Sequence, residues 1–492
     1  MPMKVRGAPQ AVVAILAFAG IVVALMQTMM IPLIPQLPRL LHATPSDATW
    51  AITATLLTGA VATPVVGRLG DMYGKRRMLL IGLALLVLGS FIGALSGTLA
   101  PMVVGRSLQG LAMGVIPLGI SVMRDVLPAD RLGSATALMS ASLGVGGALG
   151  LPAAALVAER ADWHLLFWTA AGFGVLAMAL VLAVVPESQV RGGGRFDVVG
   201  AAGLSAGLSC LLLAVSKGVD WGGQVTAGLL GTSAILLGLW GWWELRTGEP
   251  LVDLRTSARR QVLLTNLASA VFGFGMFAMT MVLPQLLQLP RSTGYGLGTT
   301  MLGVGLTLAP SGLVMMAMSP VSARISRARG PKVTLMAGAL VVAAGYGLGV
   351  LMMSALWQLV FVSSVIGAGI GLAYGAMPAL IMSAVPIGET AAANSLNTLM
   401  RAIGTSISSA VAGVILANLT NAAGLPTLDG FRLVMAIGGG ASLVAIAIAA
   451  FLPAHRVPAG TLPGREPSAR RAVRISARPR PAERAGLPGE DE

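Results

Sequence analysis

The sequence predicts an all-α integral membrane protein of about fourteen spans. They form two six-helix bundles with two further transmembrane helices inserted between them, and both termini are in the cytoplasm. Three observations predict this. The 492 residues are 55% hydrophobic and only 11% charged, with a mean hydropathy of +0.82, and a soluble core of this length would need far more charge to cover its surface. Basic residues concentrate in alternate connections between the apolar runs. Two separate loops recur at one sequence offset.

Apolar stretches of the roughly 20 residues that a bilayer crossing needs lie at about 10–33, 48–67, 78–98, 101–123, 135–158 and 165–185. Two more follow at about 197–217 and 226–246, and six at about 262–288, 297–320, 333–353, 357–381, 393–418 and 431–452. The first run follows Lys4 and Arg6 and contains Ala17-Phe18-Ala19, which resembles a secretory leader. It continues to about Ile34 and many similar runs follow, so an uncleaved first helix is expected. With the N-terminus inside, the cytoplasmic connections hold eighteen Lys and Arg, including Arg124, Arg131, Arg191, Arg255 and Arg324. The outer connections hold five: Arg39, Arg160, Lys217, Arg291 and Arg432. Loops rich in Lys and Arg resist translocation, and missing one span would invert every later loop.

The second regularity is an internal repeat. Residues 62–68 are echoed by 318–324, so that Pro64 pairs with Pro320, Arg68 with Arg324 and Gly74 with Gly330, each 256 positions apart. Within one residue, the same offset pairs 133–137 with 388–392. An N-terminal bundle over 1–187, two inserted helices over 188–261 and a C-terminal bundle over 262–452 are therefore expected. Two related halves around a central cavity are an arrangement of alternating-access transporters, with the solute site near the midplane. Residues 453–492 are a mixture rich in Arg, Pro, Gly and Ala, the composition of a disordered basic cytoplasmic tail.

Other classes are disfavoured. The net charge of +14 reflects orientation, since no basic patch is interleaved with aromatics as nucleic-acid binding would require. One cysteine, Cys210, excludes an intramolecular disulfide and any Cys-based metal cluster. No HExxH, GxSxG or Walker loop occurs and no carboxylate pair lies deep in a span, so an enzyme is not expected, nor a cofactor or metal. The expected partners are the bilayer, a small solute and protons, with the chain a monomer.

The stretch from Gly67 to Arg77 reads as a charged turn between two spans, in which Gly67, Gly70 and Gly74 permit sharp bends and close packing. Its bases, Arg68, Lys75, Arg76 and Arg77, hold the turn in the cytoplasm. Asp71 is an acid among them, able to pair with a neighbouring Arg or to cap another helix's positive end, and so to latch two bundle faces. Charge within the spans is scarce because an Arg at a helix centre costs roughly 2.5 to 3.5 kcal/mol. Arg106, with Gln109 and Gly110 close by, and Arg401 are therefore candidates for function, with snorkelling to the interface as the plain alternative. Gly146, Gly150 and Pro152 supply close helix packing and a bend. Gln27, Asn266 and Asn397, with Arg401, are candidates for lining the cavity, interhelical hydrogen bonding being the simpler role.

These motifs carry a resemblance. Residues 67–77 resemble motif A of the major facilitator superfamily, 106–114 (RSLQGLAMG) its motif B, and 146–152 the antiporter motif C. With the six plus two plus six layout, all but the tail is similar to the drug:proton antiporters of the EmrB/QacA type. The resemblance implies the fold of that superfamily and proton-driven efflux of drugs or metabolites across the cytoplasmic membrane. It further implies that Asp71 holds the outward-open state, that Arg106 assists proton coupling, and that Gly146, Gly150 and Pro152 shape a hinge. A proton-coupled importer and, less favoured, a non-transporting membrane protein are the alternatives. Two departures stand out. Met26 occupies the place of the first-span acid, and Leu151 intervenes in motif C, with Ala154 and Ala155 where paired glycines are expected.

Overall fold

The computed structural model describes residues 9–33, 36–188 and 192–453. Lys4, Arg6, Arg191 and the tail from 454 onward lie outside the described residues. Fourteen long helices carry the fold: α1 (Pro9–Thr28), α2 (Trp50–Tyr73), α3 (Lys75–Leu95), α4 (Leu99–Val126), α5 (Ala129–Arg160), α6 (His164–Val184) and α7 (Val198–Trp221). There follow α8 (Gly223–Arg246), α9 (Arg260–Gln288), α10 (Met301–Arg329), α11 (Pro331–Leu351), α12 (Leu356–Met382), α13 (Thr390–Asn418) and α14 (Leu428–Ala450). All are long and apolar enough to cross a membrane. Among the described residues no strand forms beyond an isolated bridge between Thr420 and Pro426.

Several helices outlast their apolar runs. At 1.5 Å per residue the 29-residue α10 rises about 43 Å, well past a hydrocarbon core of about 30 Å. Its end therefore stands in the polar interface, where Arg324, Arg327 and Arg329 are solvated without ending the helix. The same logic corrects the expected turn at 67–77. Between Gly67 and Gly74 there is no proline and no positive-φ residue, so Gly67 and Gly70 are helical and only Gly74 turns, at φ +117. Its repeat partner Gly330 turns between α10 and α11 at φ +88. Both single-residue links demand a backbone conformation that costs glycine little and other residues more. The sequence repeat thus has a backbone counterpart, and Pro64 and Pro320 both lie inside helices.

The apolar side chains gather in separate cores. One is built from α1 to α6, around residues such as Leu16, Leu83, Leu118, Met139 and Phe167, and takes in Met382 and Ala391 from the second half. A second, around Phe272, Leu335, Ile366 and Met435, is built from α9 to α14. The inserted pair makes a third: Leu204, Leu208 and Leu212 of α7 meet Ala60 of α2 and Leu399 of α13. α7 thus lies along the seam between the halves, while α8 buries only Ser233 and Glu244. Lys217, expected in an outer loop, is instead helical and buried. Its ammonium donates to the Thr49 hydroxyl, pairs with Asp220 at 3.3 Å and lies 5.5 Å from the centre of the Trp50 ring, tying α7 to the start of α2.

Candidate functional site

The stretch 67–77 sits where α2 meets the entrance of α13. A helix begins with N–H groups that have no partner of their own, and those groups carry the positive end of its dipole. In α13 the local N-cap residue, Glu389, makes no capping bond. Asp71 supplies it from the other half of the chain, its carboxylate oxygens accepting from Ala391 N at 3.2 Å and Ala392 N at 2.8 Å. The approach depends on small residues: a Cβ on Gly67 would lie 2.3 Å from Ser395 Oγ, and one on Gly70 would lie 2.3 Å from a Leu118 methyl.

A counterpart stands beside it. Arg124, in the last turn of α4, donates to the carbonyls of Met382 at 2.6 Å and Val385 at 3.1 Å, where α12 ends, and to the Thr390 hydroxyl at 2.6 Å. The first half therefore presents an anion to the N-terminus of α13 and a cation to the C-terminus of α12, each matched to the dipole end it meets. Lys75, fully buried, joins the two, 2.7 Å from Asp125 and 3.8 Å from Asp71. Ser188 Oγ also donates to Asp125, at 2.6 Å, and Gly192 N to the Asp71 carbonyl, at 2.7 Å. Arg76 turns away, its guanidinium on the Leu182 carbonyl at 2.7 Å, and Arg77 is exposed. Arg68, Glu249, Asp253 and Glu389 line an adjoining crevice of about 290 Å³. Burial pushes the Asp253 carboxyl up, but hydrogen bonds from Thr256 and from the Arg255 backbone outweigh it and hold the group below the usual carboxylate range.

Arg106 does not snorkel. It is 1% exposed and donates through Nε to the Ala51 carbonyl at 3.0 Å, and through one terminal nitrogen to the Met26 carbonyl at 3.2 Å and Gln109 Oε1 at 2.8 Å. Gln109 passes the network on to Ser90 at 2.8 Å. The Met26 sulfur lies 3.7 Å from the same guanidinium nitrogen, so the departure from the family pattern falls on the residue beside this charge. Gly110 lets α4 touch α2, a Cβ there being 2.5 Å from the Thr55 carbonyl.

α5 is a wedge with small residues on two faces. Gly146 and Gly150 meet α1, where a Cβ would fall 2.7 Å from Leu25 N and 2.1 Å from Thr28 Oγ1 respectively, and Thr28 Oγ1 donates to the Gly146 carbonyl at 3.3 Å. Gly144 and Pro152 face α10: a Cβ on Gly312 would lie 2.1 Å from the Gly144 carbonyl, and one on Gly305 would lie 2.8 Å from Pro152 Cα. In the second half, Asn397 donates to Asn266 at 2.9 Å and to Ser269 at 2.7 Å, so those two asparagines partner each other. Arg401 stacks 4.6 Å over the Tyr374 ring, and Gln27 is half-buried on α1. Sequence reasoning overlooked Arg124, Asp125 and Ser188 in the network. The adjacent base and acid at the end of a span were the available signal.

Two helical halves joined through small-residue contacts and a buried polar cluster define a multi-pass α-helical membrane protein. The chain belongs to the major facilitator superfamily, whose family model matches residues 16–409. It is 28% identical over 487 residues, 94% of this chain and 85% of the relative, to the tetracenomycin C resistance and export protein of Streptomyces glaucescens. It is 26% identical over 416 residues to an uncharacterized MFS-type transporter of Mycobacterium tuberculosis, a match covering 82% of this chain but only 59% of that relative's length. The crystal structure of the human organic anion transporter MFSD10 is similar in fold, with a TM-score of 0.65 at 15% identity over 90% of this chain and all of that one.

Proposed function

We propose that this transporter exports small molecules, drugs or metabolites, in exchange for protons across the cytoplasmic membrane by alternating access. The observation that carries the reading is the latch: an acid from the first half caps a helix of the second, a contact that rocking of two bundles must break and remake. In this reading Gly67, Arg68, Gly70, Asp71, Gly74, Lys75, Arg76 and Arg77 form the cytoplasmic gate, closed while the site faces outward. Arg106, Gln109 and Gly110 serve proton coupling, and Gly146, Gly150 and Pro152 form a pivot against α1 and α10. The distribution of basic residues supports cytoplasmic termini, and the resistance and export protein among the relatives supports efflux. Reconstitution tests it. In vesicles with an imposed pH gradient, solute should move against the proton flow. Comovement would indicate an importer, and no movement of any solute would refute transport. Arg106→Ala should leave flux that no longer follows the gradient; full coupling in that variant would remove Arg106 from the proton path.

A further inference from the structure

Charge at membrane depth in this protein is lopsided. Arg106 and Arg401 lie well inside helices, whereas the described acids Asp71, Asp125, Glu159, Asp220 and Glu244 all sit within a few residues of a helix end. Arg106 is committed to the Ala51 and Met26 carbonyls and Gln109. Arg401 is not. A guanidinium carries five N–H donors, yet its single hydrogen bond among the described residues is a long 3.5 Å contact to Thr398 in its own helix, and it has no ion pair there.

The side chain faces the protein interior and not lipid. At 100° per residue, Arg401 shares a stripe of α13 with Asn394, Asn397, Thr398, Thr405 and Ser408, while the exposed Ile407 and Val414 project well over 90° away. It is half-buried and lies eleven residues, about 17 Å, along α13 from its start. The Tyr374 ring, 1% exposed, lies 4.6 Å from the guanidinium carbon, a cation–π contact that takes up none of its N–H donors as hydrogen bonds. The Tyr374 hydroxyl rests 3.6 Å from the Met276 sulfur, and Met377 follows on the same helix as the ring, partnered by Ser269 at 3.0 Å. Methionines of this kind adapt to varied apolar shapes.

We propose that Arg401, stacked on Tyr374, is the docking point for an acidic group of the cargo. The transported compounds are then small organic acids with an apolar body. The cargo's carboxylate or ionised phenol takes the two parallel N–H bonds that the protein leaves unused, and the half-buried Met276 packs against its hydrophobic part. This rests on the transport reading above and names its substrate class.

The test uses the full chain in proteoliposomes with a pH gradient and three probes: fluorescein, its neutral methyl ether methyl ester, in which phenol and carboxyl are both blocked, and the cationic dye rhodamine 6G. Fluorescein should move several-fold faster than the ester and the cation. Arg401→Gln should cut its flux roughly tenfold or more, as expected for losing a charge-assisted contact, while Arg401→Lys keeps part of it. Flux of the ester or cation equal to or above that of the acid overturns the proposal without recourse to any variant. So does fluorescein flux that Arg401→Gln leaves unchanged. Failure to move any of the three dyes counts against transport itself, and so against the reading beneath the proposal.

Discussion

Replacing Asp71 by asparagine keeps the shape of the latch and removes its charge. The carboxylate accepts one N–H on each oxygen, from Ala391 at 3.2 Å and Ala392 at 2.8 Å. An amide offers a single acceptor oxygen, so one bond is lost and the other becomes neutral. Hydrogen bonds to charged groups contribute about 1.5 to 3 kcal/mol net, and a carboxylate at a partly buried helix N-terminus up to about 2 kcal/mol. Because these terms overlap, the closed face should lose about 2 to 4 kcal/mol against the open one, a shift of about 30- to 700-fold in their ratio. Electron-spin distance measurements read this directly, with labels at the exposed Arg77 and Arg329 in a Cys210→Ser background. The distance distribution of Asp71→Asn should gain a longer component. A distribution identical to that of the parent, with export unimpaired, would refute the latch.

Arg124→Gln should weaken the same closure, because it strips the Met382 and Val385 carbonyls of their cation. Combined with Asp71→Asn, the shift should fall short of additive, since both side chains hold one turn; full additivity in the distance measurement would place them in separate devices. Gly312→Ala should lower the thermal midpoint, because its Cβ would fall 2.1 Å from the Gly144 carbonyl and overpacking costs about 1 to 3 kcal/mol. Gly147→Ala, with nothing within 4 Å of its Cβ, is the control and should leave the midpoint unchanged. Lys217→Met should loosen the inserted pair at the start of α2, seen as faster amide exchange in α7 near Trp221; unchanged exchange would mean that the apolar contacts of Leu204, Leu208 and Leu212 suffice.

Much of the fold was legible because a bilayer constrains sequence so heavily. Each span must be long and apolar, which fixed their number and approximate positions. Gly74 and Gly330 were readable as paired turns because few residues tolerate positive φ. What escaped was set by contacts between residues far apart in the chain. Gly67 and Gly70 were expected both to bend the chain and to allow close packing; because helices extend beyond the hydrocarbon the bend is absent, and the packing appears as approach to Ser395 and Leu118. Asp71 was recognisable as a potential cap, while the helix it caps lies 320 residues onward. Arg124 passed for an ordinary positive-inside residue because its partners are backbone carbonyls, which leave no sequence signature. Lys217 looked like a loop residue because the Thr49 and Trp50 cradle that lets a lysine be buried comes from another helix.

The most direct test of two rocking halves is a reversible tether across the latch. A Cβ at position 67 would stand 2.7 Å from Ser395 Cβ, nearer than the about 3.5 to 4.5 Å of bridged cysteines, so a disulfide needs only a slight parting of the helices. In a Cys210-free chain carrying Gly67→Cys and Ser395→Cys, oxidation should stop transport in proteoliposomes and a reductant should restore it. Undiminished flux with the bridge fully formed would contradict the account.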